Sequence, residues 1–362
     1  MEDKSVKLIA FHLPQFHSFP ENDAWWGKGF TEWTNVKKSK PLYKNHYQPR
    51  IPEQENYYNL LNEDAIQHQM DLAKEYGIYG FCYYHYWFCG KLLMEKPLEK
   101  MLHMKDKLHY CFCWANEPWT RAWNGNAREV IMPQNYGEEN EWEEHFRYLL
   151  PFFQDEFYIK RENKPIFVLY RTNNIPHCDE MIQYLNKRCK ENGFAGIYVI
   201  EEKNSFQKNI ESKEASAVLE FEPMYTLKYG RSILRRIADK CFGAFFNKAT
   251  HNHMLIYNYD IVWKNIINRT HDPISGKEQF IGAFVDWDNS PRRGNKGTVI
   301  YGATPQKFRS YLSKQLQHAR SEDSEYVFIN AWNEWGEGTY LEPDMKYGKK
   351  YLEAVKTVVE NQ

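Results

Sequence analysis

The segment Tyr326-Val-Phe-Ile-Asn330-Ala-Trp332-Asn333-Glu334-Trp335-Gly336-Glu337-Gly338-Thr339 carries two glutamates three residues apart, just past a β-forming run. Two carboxyl groups held close together are the basic equipment for cleaving or transferring a glycosidic bond. A buried strand that climbs into a polar turn is how a barrel delivers such groups to its mouth. Gly336 and Gly338 let the turn be tight, and Trp332 and Trp335 offer flat apolar faces for sugar rings. Taken alone, the same residues also describe a strand followed by a surface turn with solvated glutamates. What separates the two readings is whether polar, aromatic strand ends recur along the chain.

They do. Short β-rich runs at 7–13, 78–84, 109–114, 165–170, 196–200, 217–221, 280–285 and 326–331 read as strands buried on both faces. Helical apolar spacing falls between them at 62–76, 138–153, 177–191 and 305–320, with a last helix at 348–360. Asn62 is a capping residue for the first of these, and Gly77 a stop. Eight strands alternating with helices predict an α/β fold, a (β/α)8 TIM barrel spanning 1–362 as one catalytic domain. An open doubly wound sheet is the alternative, but no Gly-x-Gly-x-x-Gly or Walker loop follows the first strand. Two loops are long, 14–61 after strand one and an insertion at about 222–279 after strand six. Loops of that length usually shape a site or a partner surface.

In a barrel, the active residues stand just past the C-terminal strand ends. Those ends hold Gln15 and His17, then Tyr84, His85 and Trp87, then Trp114, Asn116, Glu117 and Trp119. Later come Trp287, Asp288 and Arg292, and finally Trp332, Asn333, Glu334 and Glu337. Aromatic residues make up 17% of the chain, and the tryptophans cluster in polar segments: Trp25, Trp26, Trp33, Trp114, Trp119, Trp123, Trp287, Trp332, Trp335. Such rings fit a cleft better than a core. The expected pocket is lined by Trp33, Tyr84, Trp87, Trp114, Trp119, Trp287 and Trp332, with Asn116, Glu117 and Asp288 as polar anchors. His17 and His85 are expected to bind hydroxyls, whereas His12, inside the first strand, suits a hydrogen-bonded core role as well as a ligand role. Residues 83–87 should alternate faces, so about half of them point into the mouth.

Bulk properties exclude several classes. A net charge of -1, from 47 basic and 48 acidic residues, gives no reason to expect nucleic acid or an anionic membrane as partner. The apolar runs are strand length, so no membrane insertion is expected. The first ten residues lack the apolar core of a signal peptide, and the seven scattered cysteines do not form a disulfide framework. A reducing cytoplasm is the expected setting, which leaves the Asn268-Arg-Thr270 sequon without meaning. Cys111 and Cys113 share a strand face and suit packing rather than metal, and His251-Asn-His253 suits the surface. No metal and no cofactor are expected.

Several separated motifs carry a family resemblance: His12-Leu-Pro-Gln-Phe-His17, Glu21-Asn-Asp-x-Trp-Trp-Gly-Lys-Gly-Phe-Thr-Glu-Trp-Thr-Asn35 and Tyr47-Gln-Pro-Arg50. Gly77-Ile-Tyr-Gly-Phe-Cys-Tyr-Tyr84, Trp114-Ala-Asn-Glu-x-Trp-Thr-Arg121 and Trp287-Asp-Asn-x-x-Arg-Arg293 extend it. Asn330-Ala-Trp-Asn-Glu-Trp-x-Glu-Gly-x-Tyr-Leu-Glu-Pro343 completes it. Together they resemble the WbsX-like proteins, which carry a glycoside hydrolase family 99-like domain and are commonly labelled as polysaccharide or lipopolysaccharide biosynthesis proteins. The resemblance covers most of the chain outside 222–279. It implies a (β/α)8 barrel related to retaining endo-α-mannosidases, acting on a bacterial-type polysaccharide or its precursor. It implies that Glu334 deprotonates the sugar 2-hydroxyl, which attacks the anomeric carbon, and that Glu337 protonates the leaving oxygen and then activates water. The hydrolase pattern has His where this chain has Gly336, so hydrolysis and transfer both stay open.

Two residue-level alternatives compete. Asn116-Glu117-Pro118 looks like the acid/base signature of another retaining-glycosidase clan. There, however, it belongs at strand four, with the nucleophile at strand seven; here Glu117 follows strand three and Glu334 strand eight. Asp286-Trp287-Asp288 has the form of the metal-binding D-x-D of many glycosyltransferases; the competing reading is a barrel-mouth pair bonding sugar hydroxyls or Arg292 and Arg293. The functional classes that follow are a glycoside hydrolase, a glycosyltransferase using a nucleotide sugar, and a glycan-binding barrel without catalysis.

Overall fold

The computed structural model describes residues 5–121, 126–270, 274 and 276–362; Trp123 lies outside them. Eight parallel strands form the barrel: β1 (Lys7–His12), β2 (Gly80–Phe88), β3 (His109–Trp114), β4 (Lys164–Leu169), β5 (Tyr198–Lys203), β6 (Ala217–Glu220), β7 (Glu278–Phe284) and β8 (Tyr326–Asn330). Each pairs with its sequence neighbour, and β1 pairs with both β2 and β8, which closes the sheet. The strands are apolar on both faces because one face fills the barrel and the other meets helices. In β3 the tract Tyr110–Trp114 is buried throughout.

The helices that wrap the barrel follow the expected positions. Those used below are α1 (Pro20–Trp26), α2 (Glu32–Lys38), α3 (Glu63–Glu75), α4 (Lys96–Leu102), α5 (Glu139–Gln154) and α6 (Cys178–Glu191). The series continues with α7 (Met224–Tyr229), α8 (Ile233–Thr250), α9 (Tyr259–Ile267), α10 (Ser290–Arg293), α11 (Pro305–Ser321) and α12 (Lys350–Glu360). Asn62 caps α3 as expected, its side chain accepting from Asp64 N at 3.0 Å. Between β5 and β6 the chain crosses as a loop rather than a helix. The loop after β1 folds into α1 and α2 before α3 begins, and the 222–279 segment holds α7, α8, α9 and a short strand, Leu255–Asn258. That strand pairs with Thr298–Tyr301, which in turn pairs with Trp287–Asp288 just past β7. The insertion is thereby tied to the rim that carries the candidate residues.

Candidate active site

Past β8 the chain makes a minimal hairpin, Asn333–Glu334 against Thr339–Tyr340, closed by a single 3-10 turn at Trp335–Glu337. Side chains lock it to the barrel. Asn333 Oδ1 accepts from Leu13 N at 2.7 Å, and its Nδ2 donates to Leu13 O at 3.0 Å, tying β8 to the end of β1. Trp335 stacks on Tyr340 with centroids 3.8 Å apart and donates to Glu342 at 2.6 Å. Glu334 and Glu337 are therefore presented by a turn held at both ends by side-chain contacts.

One guanidinium joins them. Arg292, on the short α10, reaches Glu334 Oε2 at 2.9 Å and Glu337 Oε1 at 2.8 Å, while its Nε donates to Glu32 Oε1 at 2.9 Å. Glu32 opens α2 and is fully buried. Three carboxylates thus contact the Arg292 guanidinium, which can balance only one of them, while Arg293 acts on Glu337 from farther off. Burial pushes Glu334 up to about 8, opposed by Arg292 and reinforced by Glu337 and Glu32. Burial raises Glu337 as well, again against Arg292. Groups this close share their protons as a unit. Both shifts favour the protonated form of the pair.

Both glutamates open onto a cleft of about 430 Å³ at the C-terminal mouth of the barrel. Its walls include Gln15, Tyr84, Tyr86, Trp119, Tyr170, Phe206, Phe221 and Trp287, with Glu117, Arg292 and Arg293 among the charged groups. Gln15 Nε2 is buried and finds no acceptor among the described residues. Trp119 sits edge-on to Trp25 and Tyr86, at 5.7 and 5.4 Å, half-buried at the rim. Glu117 faces Arg171 at 3.5 Å, and burial raises its pKa despite that cation. Below it Glu202 is fully buried and held by Asn204 at 3.1 Å; burial holds its carboxyl well above the usual range.

Of the residues expected from sequence, Gln15, Tyr84, Glu117, Trp119, Trp287, Arg292, Glu334 and Glu337 meet in this cleft. The lining expected of the others is corrected. Trp33 is buried under the turn, donating to Tyr58 O at 2.9 Å and packing on Trp335. Trp87 and His85 point outward from β2 onto α5, where His85 lies 2.9 Å from His145 and Trp87 stacks on the same ring. Strand alternation is the reason: Tyr84 and Tyr86 face the mouth, so the residues on either side cannot. Trp114 is a core residue against His145, its Nε1 donating to Trp87 O at 3.1 Å. Trp332 is fully buried beside Phe81. His17 folds back onto Pro14 O at 3.0 Å, and burial lowers its pKa to about 4, so it is a neutral structural ring. Asn116 stitches Arg171 to the end of β3 through two 2.9 Å bonds, and Asn333 performs the clamp described above; both support residues that line the cleft.

Asp286 and Asp288 serve the scaffold. Arg50 bonds Asp286 at 2.9 Å, while His46 and Gln48 bond Asp288 at 2.8 and 2.7 Å. Both carboxylates are taken up by protein donors, and the arginines that sequence reading paired with them lie elsewhere: Arg292 faces the glutamates. The residues that sequence reading missed are Glu32, Arg171, Tyr86, Tyr170, Phe206 and Phe221. Glu32 had a signal, the acid between Thr31 and Trp33 in a loop already singled out, but its partner lies 260 positions away.

A family model described as glycosyltransferase WbsX matches residues 8–355. Over 361 residues the chain is 32% identical to WxcX of Xanthomonas campestris pv. campestris, whose description reads uncharacterized, with the same match in a second strain. That match covers 98% of this chain and 50% of WxcX, so the chain spans about half the length of the curated relatives it matches. Among solved structures, a GH99 endo-α-mannosidase from Bacteroides thetaiotaomicron aligns with a TM-score of 0.58 at 14% identity, covering 98% of this chain and 96% of that one. A structure described as a glycoside hydrolase-like protein gives 0.59 at 13%, covering 99% and 94%. These two share the closed barrel and its alternating helices.

Proposed function

The chain belongs to the WbsX family, and from that premise we propose that it is a retaining glycoside hydrolase-like enzyme acting on an α-linked glycan of a bacterial-type polysaccharide or its precursor. The observation that carries this reading is the Arg292 clamp, which brings Glu334 and Glu337 together at the mouth of an aromatic cleft. The barrel shared with endo-α-mannosidases supports the substrate class. In the proposed cycle, Glu334 takes the proton of the sugar 2-hydroxyl as that oxygen attacks the anomeric carbon. Glu337 gives its proton to the departing glycosidic oxygen. Glu337 then takes a proton from water, the water oxygen opens the 1,2-anhydro ring at the anomeric carbon, and Glu334 returns its proton to O2. Burial that raises a carboxylic acid's pKa also makes its conjugate base stronger, which suits proton abstraction from an alcohol. The seven cysteines, all unpaired in the described structure, support a cytoplasmic setting for this work.

The experiment is a leaving-group comparison. Glu337→Gln should cut activity severely on natural glycosides and far less on activated aryl α-glycosides, which need little protonation. Glu334→Gln should be severe on both, and a 2-deoxy substrate should not react. Near wild-type rates in both glutamine variants would sink the assignment and make Glu117 the next acid to test.

A second reading, transfer from a nucleotide sugar, is favoured by the description of the family. Incubation with candidate nucleotide sugars and a glycan acceptor separates the two. Release of nucleotide coupled to glycan growth supports transfer, and new reducing ends without nucleotide release support hydrolysis.

A further inference from the structure

Helix α8 carries its apolar residues on the wrong side for a globular protein. Only Asp239 and Gly243 are buried along its length. Ile233, Leu234 and Phe245 are 76%, 79% and 74% exposed, and Ile237 and Phe242 are exposed with them. At about 100° per residue, these five residues together with Ala238, Cys241, Ala244 and Ala249 fill roughly half the circumference. Lys248 is the one charge within that arc. The opposite, narrow face holds the helix to the protein. There Asp239 pairs with Arg231 at 2.7 Å and Arg235 at 2.5 Å, and Asn247 exchanges two 2.9 Å bonds with Met254.

The charge around this face has one sign. Between residues 223 and 259 stand six Lys or Arg and a single acid, Asp239, which two of those arginines already occupy. Lys228, Arg236 and Lys240 are exposed and flank a groove of about 550 Å³ between α8 and the strand Leu255–Asn258. The chain's net charge of -1 averages this local excess away. A wide apolar face with exposed Lys248 within it and exposed Lys240 at its edge, neither in an ion pair among the described residues, matches an interface of apolar chains beneath negative head groups. A partner protein's apolar patch would complement the face but would leave the flanking cations unanswered.

We propose that α8 is a peripheral docking helix that lies on an anionic phospholipid surface, with Ile233, Leu234, Ile237 and Phe245 entering the head-group boundary and Lys240 and Lys248 reaching phosphate level. No crossing of the bilayer is involved: among the described residues no helix is long and apolar enough for that. The helix is rooted on the active rim, since Met224 of α7 and Thr298 both border the cleft and Tyr301, three residues on, stacks on Phe242 at 5.8 Å. Docking therefore sets the cleft beside the membrane, where a lipid-borne glycan would stand; that last step alone rests on the glycan reading.

The test uses the full chain and no glycan, so it is independent of the catalytic assignment. Flotation is measured with vesicles of phosphatidylcholine containing phosphatidylglycerol, and with phosphatidylcholine alone, at low and high salt. The wild-type chain should float with the anionic vesicles and at least tenfold less with neutral ones or in high salt. The double variants Leu234→Glu/Phe245→Glu and Lys240→Glu/Lys248→Glu should each lose at least tenfold, with circular dichroism unchanged because these side chains are exposed. Absence of wild-type binding to anionic vesicles overturns the proposal. So does unchanged binding in the variants, or a concentration-dependent dimer that the Leu234→Glu/Phe245→Glu variant abolishes, which would assign the face to a second copy.

Discussion

A Cβ at position 336 would run into the Glu32 carboxylate and stand 2.8 Å from Arg292 Nε. Glycine here is a matter of volume rather than backbone angle: its missing side chain is the space through which Glu32 reaches Arg292. Where the hydrolase pattern places His, this chain places an ion pair. Gly336→Ala should displace Glu32, loosen Arg292 and lower kcat by one to two orders of magnitude (about 1.4–2.8 kcal/mol of barrier), and lower the melting temperature as well, because it disturbs a buried ion pair. A crystal structure of the variant with Arg292 unmoved would refute that account. The pair's shared proton makes a second prediction. Because burial holds Glu334 up at about 8, kcat/KM should fall above roughly that pH as the pair loses its last proton. Arg292 opposes the rise in both glutamates, so Arg292→Met should move this alkaline limb to higher pH as well as reduce the rate. A limb that stays in place or shifts downward would show that the guanidinium does not set the pair's protonation.

Tryptophan roles divide at the scale of the element. Trp114 ends a strand and faces α5; Trp119 begins the short strand Trp119–Arg121 that rises over the cleft. Replacing Trp114 with Ala empties core volume and should cost about 3–5 kcal/mol of stability. Replacing Trp119 removes a half-exposed ring, so stability should hardly change while glycan affinity drops by roughly 1–3 kcal/mol. Denaturation and binding measured on both variants check the division; a stable Trp114→Ala chain with weakened binding would reverse it. Sequence could not draw this line, because both tryptophans lie among Asn, Glu and Pro. The strands themselves were legible: each of the eight expected runs overlaps a barrel strand, since doubly buried strands are written as near-continuous apolar runs. What pattern reading missed was which strand-end residue turns inward. The extra length of β2, which continues to Phe88, carries Tyr86 to the mouth and His85 and Trp87 away from it.

Across the whole molecule, the buried carboxylates in and behind the catalytic turn tie the site to stability. Their placement was invisible in the sequence, because Glu32 and Glu202 come from segments far from the turn that carries both Glu334 and Glu342. Glu342 is buried beneath the turn, accepting from Trp335 at 2.6 Å, Gln69 at 2.7 Å and Tyr58 at 2.9 Å. Burial outweighs those donors and pushes it up to about 7. With Glu334 at about 8, these two groups, like Glu337, Glu117 and Glu202, bind protons more tightly folded than unfolded, where a glutamate titrates near 4.3. The folded state then holds more protons than the unfolded chain between those limits, so stability declines as pH rises. The contribution is fully present below about 4.3 and is lost as pH climbs through 7 and 8. The melting temperature should therefore be lower at pH 9 than at pH 6, by an amount on the order of a few kcal/mol in unfolding free energy. Glu342→Gln, which keeps the shape and removes the charge, should flatten that slope and cost little at pH 6. A melting temperature that rises from pH 6 to pH 9, or a slope unchanged in the variant, would show that Glu342 is ionised in the folded chain throughout that range.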